Sequence, residues 1–215
     1  MIYLYHYFER DFGPFRAFTE LPIEEAREIL LARKAAGKSG NPNIEDFLSK
    51  RYGREKLLRD AFSGRGGRIK RTSPYYFFLG EERQWASAYK HPVCVKIPLS
   101  EFDPLTVSFT YGDSFAIFKP ELFGAEEYWN RVYFADEMLA LVERIGLPPR
   151  VEYDFKRGIY PKDKNINDHL KYVEAHVWSD DVVDKYRDKA HWIEIDEREI
   201  VHEKTRSRLR FRRGD

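Results

Sequence analysis

Between positions 172 and 178 the chain reads Tyr172-Val173-Glu174-Ala175-His176-Val177-Trp178, and this strict alternation constrains the fold more than any other stretch. Side chains alternate across a strand, so Val173, Ala175 and Val177 share one face while Tyr172, Glu174, His176 and Trp178 share the other. The aliphatic face belongs against a core. The opposite face carries a carboxylate, an imidazole and two large rings, so it either covers a second core layer or lines a cleft. A Glu flanked by rings has its charge poorly solvated, and groups so placed concentrate at functional sites. The plain alternative is a solvent-facing Glu on an edge strand. A second segment of the same kind, Leu4-Tyr5-His6-Tyr7, sets one histidine among aromatics near the start. Together the two segments suit a site that holds a flat cationic ring beside a carboxylate.

The rest of the chain divides into a helical first third and a strand-rich remainder. Residues 2–8 are β-like and end at Gly13-Pro14. Thr19 is placed to cap a helix over 22–36, with Ile23, Ala26 and Leu30 on one stripe and Gly37 as its stop. A second helix is expected over 43–62, with Phe47, Leu48, Leu57, Leu58, Ala61 and Phe62 as apolar positions and Gly53 as a point of division. Strands follow at 75–79, 93–97, 107–111 and 172–178, rich in β-branched and aromatic residues. A helix over 136–145, capped by Asp136 and closed by Gly146, interrupts them. A polar loop with Gly158 and Pro161 runs to Asp168 as a lid candidate. Ser179 is placed to cap a short helix reaching Arg187, and strands at 191–195, 199–202 and 206–211 complete the pattern. The expectation is one α+β domain over residues 1–215, with N-terminal helices packed on a mainly antiparallel β-sheet.

Composition narrows the function classes. With 42% hydrophobic and 16% aromatic residues in 215, the chain can bury one substantial core. The 34% charged fraction and the lack of a long apolar run argue against a spanning helix. The Met1-Ile2-Tyr3 start has no basic-then-apolar segment, so a cytoplasmic location is expected. Cys94 is the single cysteine; within Val93-Cys94-Val95 it reads as a small buried residue, and intrachain disulfides and cysteine-rich zinc sites are excluded. Histidines 6, 91, 169, 176, 191 and 202 have no metal-ligand spacing, so no metal is expected.

The net charge of +1 hides two basic blocks. Residues 51–71 hold eight Lys/Arg against two acids, and residues 204–215 hold six against one. Such blocks fit a polyanion, either nucleic acid or a pyrophosphate, or else a solvated surface. In the second block Arg206, Arg208, Arg210 and Arg212 alternate with Ser207, Leu209 and Phe211, a strand pattern with an arginine face. In the first, Ser63-Gly64-Arg65-Gly66-Gly67-Arg68 reads as a flexible loop whose amides approach a phosphate, without the spacing of a P-loop or dinucleotide fingerprint. Gly112-Asp113, between aromatic stretches, reads as a turn that exposes Tyr111, Asp113 and Ser114 at the mouth of a cleft.

The succession Leu4-Tyr5-His6-Tyr7, Arg71-Thr72-Ser73-Pro74-Tyr75-Tyr76-Phe77, Phe109-Thr110-Tyr111-Gly112-Asp113 and Val173-Glu174-Ala175-His176-Val177 resembles the layout of DarT-type ADP-ribosyltransferases. The chain is also similar to an uncharacterised group of bacterial proteins that carry the Gly13-Pro14-Phe15-Arg16 and 108–115 motifs. It departs from the first pattern in two places. Thr-Tyr-Gly-Asp stands where that family has Thr-Asp-Gly, and Thr72 intervenes between Arg71 and Ser73-Pro74. The resemblance implies an ADP-ribosyltransferase-like fold with a strongly curved or split sheet, and NAD as substrate. Glu174 and Arg71 would be catalytic, Glu174 opposite the positive charge on the ribose and Arg71 on the pyrophosphate. His6, with Tyr5, Tyr7 and Tyr111 as stacking surfaces and Asp113 and Ser114 at the turn, would hold the cofactor. The acceptor would be a protein, or a nucleic acid engaged through Arg65, Arg68, Lys70, Arg206, Arg208, Arg210 and Arg212. Two other readings stay open: a non-catalytic nucleic-acid-binding module using residues 64–71 and 206–213, and an inactive descendant that binds a partner protein.

Overall fold

The computed structural model of the chain describes residues 1–35, 43–118, 127–148 and 172–196. Within these, the strand-forming runs assemble into one six-stranded antiparallel sheet, β1 (Tyr3–Glu9), β2 (Tyr75–Leu79), β3 (Pro92–Pro98), β4 (Val107–Tyr111), β5 (Val173–Val177) and β6 (Ile193–Glu194). Their order is β4-β5-β2-β1-β3-β6. Four helices accompany it: α1 (Ile23–Ala35), α2 (Ile44–Gly64), α3 (Ser114–Ile117) and α4 (Ala135–Ile145). The fold is α+β.

The register fixes what each face carries. On β5, Glu174 pairs with Thr110 of β4 and Phe78 of β2, and His176 pairs with Ser108 and Tyr76. The opposite face presents Ala175 and Val177 beside Phe77, Phe109 and Val107, all fully buried. Met138 and Leu141 of α4 pack into this main core, each such side chain contributing about 1.5–3 kcal/mol on burial. Tyr111, also on this face, donates its phenol hydrogen to the carbonyl of Gly146 just beyond α4, at 3.0 Å. The Glu174 face meets α2 instead: the Arg51 guanidinium lies 3.9 Å over the Tyr76 ring, and the Tyr76 hydroxyl donates to Glu55 at 3.0 Å. Ala26 and Leu30 of α1 join Ile44 and Leu48 of α2 in a separate apolar cluster.

The sheet opens at its centre. β1 keeps seven registered pairs with β3 but only two with β2, Leu4 with Leu79 and Tyr5 with Phe78. Beyond Tyr5 the His6 side chain takes the place of the backbone ladder, with Nδ1 2.8 Å from the Tyr76 carbonyl. Its Nε2 accepts from the Phe15 backbone N–H at 3.1 Å. Gly13 (φ 71°) and Phe15 (φ 56°) turn the chain back so that the Phe15 ring stacks on His6 and Phe77. A left-handed phenylalanine costs of the order of 1–3 kcal/mol, and here its burial and its bond to His6 hold it in place.

Several local expectations differ from what forms. Thr19 does not cap α1; its hydroxyl donates to Glu55. α2 runs unbroken through Gly53, and Asn43 caps it by accepting from Asp46 N–H at 3.1 Å. α4 is capped from Phe134, whose N–H donates to Glu137 at 2.9 Å, so Asp136 lies inside the first turn. Ser179 accepts from Asp181 N–H ahead of a 3-10 turn at Val183–Tyr186, not a longer helix. Residues 193 and 194 alone form β6, because a 3-10 turn takes Lys189–His191. The loop through Gly158 and the strands at 199–202 and 206–211 lie outside the described residues, as do Arg206, Arg208, Arg210 and Arg212.

Candidate functional site

A cleft of about 610 Å³ lies over the Glu174 face and runs into the opening between β1 and β2, a size typical of small-molecule sites. Tyr7, Tyr76, Phe78 and Glu174 line it from the sheet, and Phe12, Gly13, Phe18 and Leu21 from the segment after β1. Phe47 and Arg51 of α2 close one side; Asp113 and Phe115 stand at the β4–α3 turn, and Trp85, Tyr89 and Tyr172 also line the cavity. The walls are therefore largely aromatic, with Glu9, Arg16, Arg51, Asp113 and Glu174 as the charged groups among them.

Glu174 is 7% exposed and ionised within this setting. Burial alone raises a carboxyl pKa. Here the hydrogen bond and electrostatic attraction of His176, the Ser114 amide and the charge of Arg51 together outweigh burial, and the Glu174 pKa is lowered. Its Oε2 accepts from the Ser114 backbone N–H at 3.0 Å and contacts His176 Nε2 at 3.1 Å. Oε1 takes neither bond. The Ser114 amide is delivered by the turn after Gly112 (φ 120°), where Asp113 accepts from the Phe115 N–H at 2.8 Å.

Arg51 is the cation facing Glu174. Its guanidinium is held over Tyr76 and, at 5.3 Å, over Phe115, while Nε donates to Glu55 at 2.8 Å. Burial works against its charge, yet Tyr76, Glu55 and Glu174 prevail and its pKa is raised. Glu55 is itself buried and takes bonds from Arg51, Tyr76 and Thr19. Sequence reasoning missed this pair. The signal for it is an Arg and a Glu at i, i+4 on the same stripe as Leu48, Leu58 and Phe62, where a solvated helix face would not run.

The other residues named from the sequence separate into those at the cleft and those away from it. His6 and Tyr7 line the cavity, as do Asp113 and Glu174. Both His6 ring nitrogens are committed to backbone groups, so only its ring surface is open to a ligand. Burial pushes the His6 pKa down to about 4, against the bond to the Tyr76 carbonyl, so the ring is neutral at pH 7. The Tyr7 hydroxyl accepts from Glu82 N–H at 2.9 Å. Ser114 contributes its amide to Glu174, and its buried hydroxyl has no partner. Tyr5 packs beside the cleft with Tyr7, Phe78 and Trp85. Tyr111 points into the main core.

Arg71 is not brought to Glu174. Its guanidinium lies 3.3 Å over Tyr75, on the opposite face of β2 from Tyr76, and bonds Ser73 O at 2.5 Å, Asp180 at 2.7 Å, and Glu20. It ties the segment after β1 to the turn after β5. Arg65, Arg68 and Lys70 are paired with Glu137, Asp103 and Asp181 respectively. Cys94 is buried, and burial pushes its thiol up to about 12. Among the described residues no His/Cys/Asp/Glu group could hold a metal ion, and no helix is long and apolar enough to cross a membrane.

No protein-family model matches the chain, and neither a curated protein nor a solved structure matches it.

Proposed function

We propose that the protein is an ADP-ribosyltransferase-like enzyme that binds NAD in the aromatic cleft, cleaves the nicotinamide glycosidic bond and transfers ADP-ribose to a nucleic acid or protein. The observation that carries this reading is Glu174: a buried, ionised carboxylate with one oxygen held and the other left for a ligand, set among aromatic walls. In the reaction the C1′–N bond breaks and nicotinamide leaves with its electron pair. Positive charge builds on the ribose, and a fixed carboxylate stabilises it. The acceptor nucleophile then bonds to C1′ and gives up its proton, for which Glu174 Oε1 is the nearest base in this scheme. A lowered pKa suits a residue that must be charged before the ribose becomes so. Tyr76, Phe47 and Phe115 offer rings to the nicotinamide or adenine, and Arg51 supplies the cation beside the carboxylate, while Arg71, expected at the pyrophosphate, lies on the other face of β2. The opening between β1 and β2 supports a split, ADP-ribosyltransferase-like sheet.

A purely nucleic-acid-binding role draws less support, because Arg65, Arg68 and Lys70 each meet an acid and surface charge so compensated attracts phosphate weakly. The test is transfer from NAD labelled at its adenylate phosphate to single-stranded DNA, RNA or cell protein. Label should enter one of these fractions with the native chain and not with Glu174→Gln. Label in none of them, together with intact NAD, overturns the proposal.

A further inference from the structure

Behind Glu174 lies a chain of polar groups with no exposure to solvent. Ser108, His176 and Trp178 are each 0% exposed. Trp178 Nε1–H donates to Ser108 Oγ at 2.8 Å, Ser108 Oγ lies 3.3 Å from His176 Nδ1, and His176 Nε2 lies 3.1 Å from Glu174 Oε2. Burying this many polar atoms is costly unless every one is satisfied. The strand period puts Glu174 and His176 on one face with Ser108 as the cross-strand partner of His176, and Trp178 follows just past the end of β5.

The donor inventory sets the end of the chain at Glu174. An ionised carboxylate only accepts, so His176 carries a hydrogen on Nε2, aimed at Glu174 Oε2. Ser108 Oγ accepts from the indole and keeps a second lone pair and its own hydrogen for the Nδ1 side. We propose that His176 is a positioning residue for Glu174: seated against Ser108 and Trp178, it donates from Nε2 to Oε2 and so turns Oε1 toward the cleft. This rests on the reading of Glu174 as the working carboxylate. His176 itself touches no ligand in this arrangement, since it does not line the cavity.

Several other groups bear on the titration of Glu174. Arg51 of α2 lowers its pKa, and Tyr76 of β2 interacts with it, with Glu55 behind both. Asp113, Glu9, Arg16 and His6 line the same cleft. None of these changes in the variants below, so a difference between them belongs to position 176.

Asn and Gln at position 176 separate the two nitrogens. His176→Gln keeps an N–H near Nε2; His176→Asn keeps a polar group near Nδ1 and loses the bond to Glu174. Carbon-13 NMR titration of Glu174 should give a carboxyl pKa below the usual range in the native chain and in His176→Gln, raised by about one unit or more in His176→Asn. Nicotinamide release should show the same ordering in the acid limb of kcat, with KM for NAD nearly unchanged. Equal behaviour of the two variants overturns the proposal and leaves His176 as packing alone. If His176→Asn does not fold, nitrogen-15 shifts of the native chain decide: a hydrogen on Nε2 is expected, and a bare Nε2 overturns it. A native chain inert toward NAD would sink the enzymatic reading while these NMR measurements still answer for His176.

Discussion

His6 keeps β1 and β2 apart as a neutral ring, and that state has a measurable consequence. The unfolded chain takes up a proton at this histidine near pH 6.5, whereas burial delays it in the fold to about pH 4. Between these values the unfolded state binds more protons, so stability is complete above pH 6.5 and falls as pH drops toward 4. The ceiling is about 3 kcal/mol, of which about 2 should be gone at pH 5. Urea midpoints at pH 7 and pH 5 should fall in the native chain and change much less in His6→Gln; equal slopes for the two would refute the assignment. The prominence of His6 and Glu174 was readable because each sits at a fixed phase of a strand pattern. Their roles were not equally readable. Whether His6 spends its nitrogens on a ligand or on the Tyr76 carbonyl and the Phe15 amide depends on a turn with two positive φ angles, and the Gly13-Pro14-Phe15-Arg16 motif shows the glycine but not the destination of the turn.

α2 brings chemistry and architecture together, and its C-terminus shows how a loop motif can mislead. Gly66 N–H bonds the Ser63 carbonyl at 2.9 Å and Gly67 N–H bonds the Phe62 carbonyl at 3.0 Å, the paired bonds of a Schellman close. Gly66 has the left-handed φ of 91° such a close requires. The glycines read as approaching a phosphate therefore end a helix. A Cβ on Gly67 would come within 2.5 Å of the Phe62 ring, whereas one on Gly53 would meet nothing within 4 Å. Gly67→Ala should destabilise by about 1–3 kcal/mol through overpacking. Gly53→Ala, inside the helix, should stabilise by up to about 1 kcal/mol. Chemical denaturation of both variants checks the pair, and a tolerated Gly67→Ala would contradict the packing described. The helix itself was legible from its apolar spacing. Its Arg51–Glu55 pair, with Glu55 buried, was not, because a stripe argument counts apolar positions and discards the charged ones between them. The same habit favoured Arg71, conspicuous beside Ser73-Pro74, over an arginine in the middle of a helix.

Among the described residues, one antiparallel sheet carries Arg51 of α2 over Tyr76 on one face, Leu58 and Phe62 of α2 share the main core with α4, and an aromatic cleft lies where β1 and β2 part. The α+β class and all six described strands, β6 shorter than expected, followed from β-branched and aromatic runs punctuated by Pro, Gly and Asp. The strand order did not, since β5 inserts between β4 and β2 through contacts remote in sequence. That insertion places Ser108 and Tyr76 on either side of His176 and lets the Ser114 amide reach Glu174. The central claim is that this carboxylate serves NAD glycosidic cleavage. Gln at position 174 keeps an acceptor oxygen for His176 and Ser114, so the variant should fold and lose only the charge. The decisive measurement is nicotinamide release from NAD by the native chain and by Glu174→Gln, both shown to be folded. Release by the native chain, reduced about a hundredfold or more in the variant, is the expected result. Equal release by the two, or none from the native chain with any acceptor added, would contradict it.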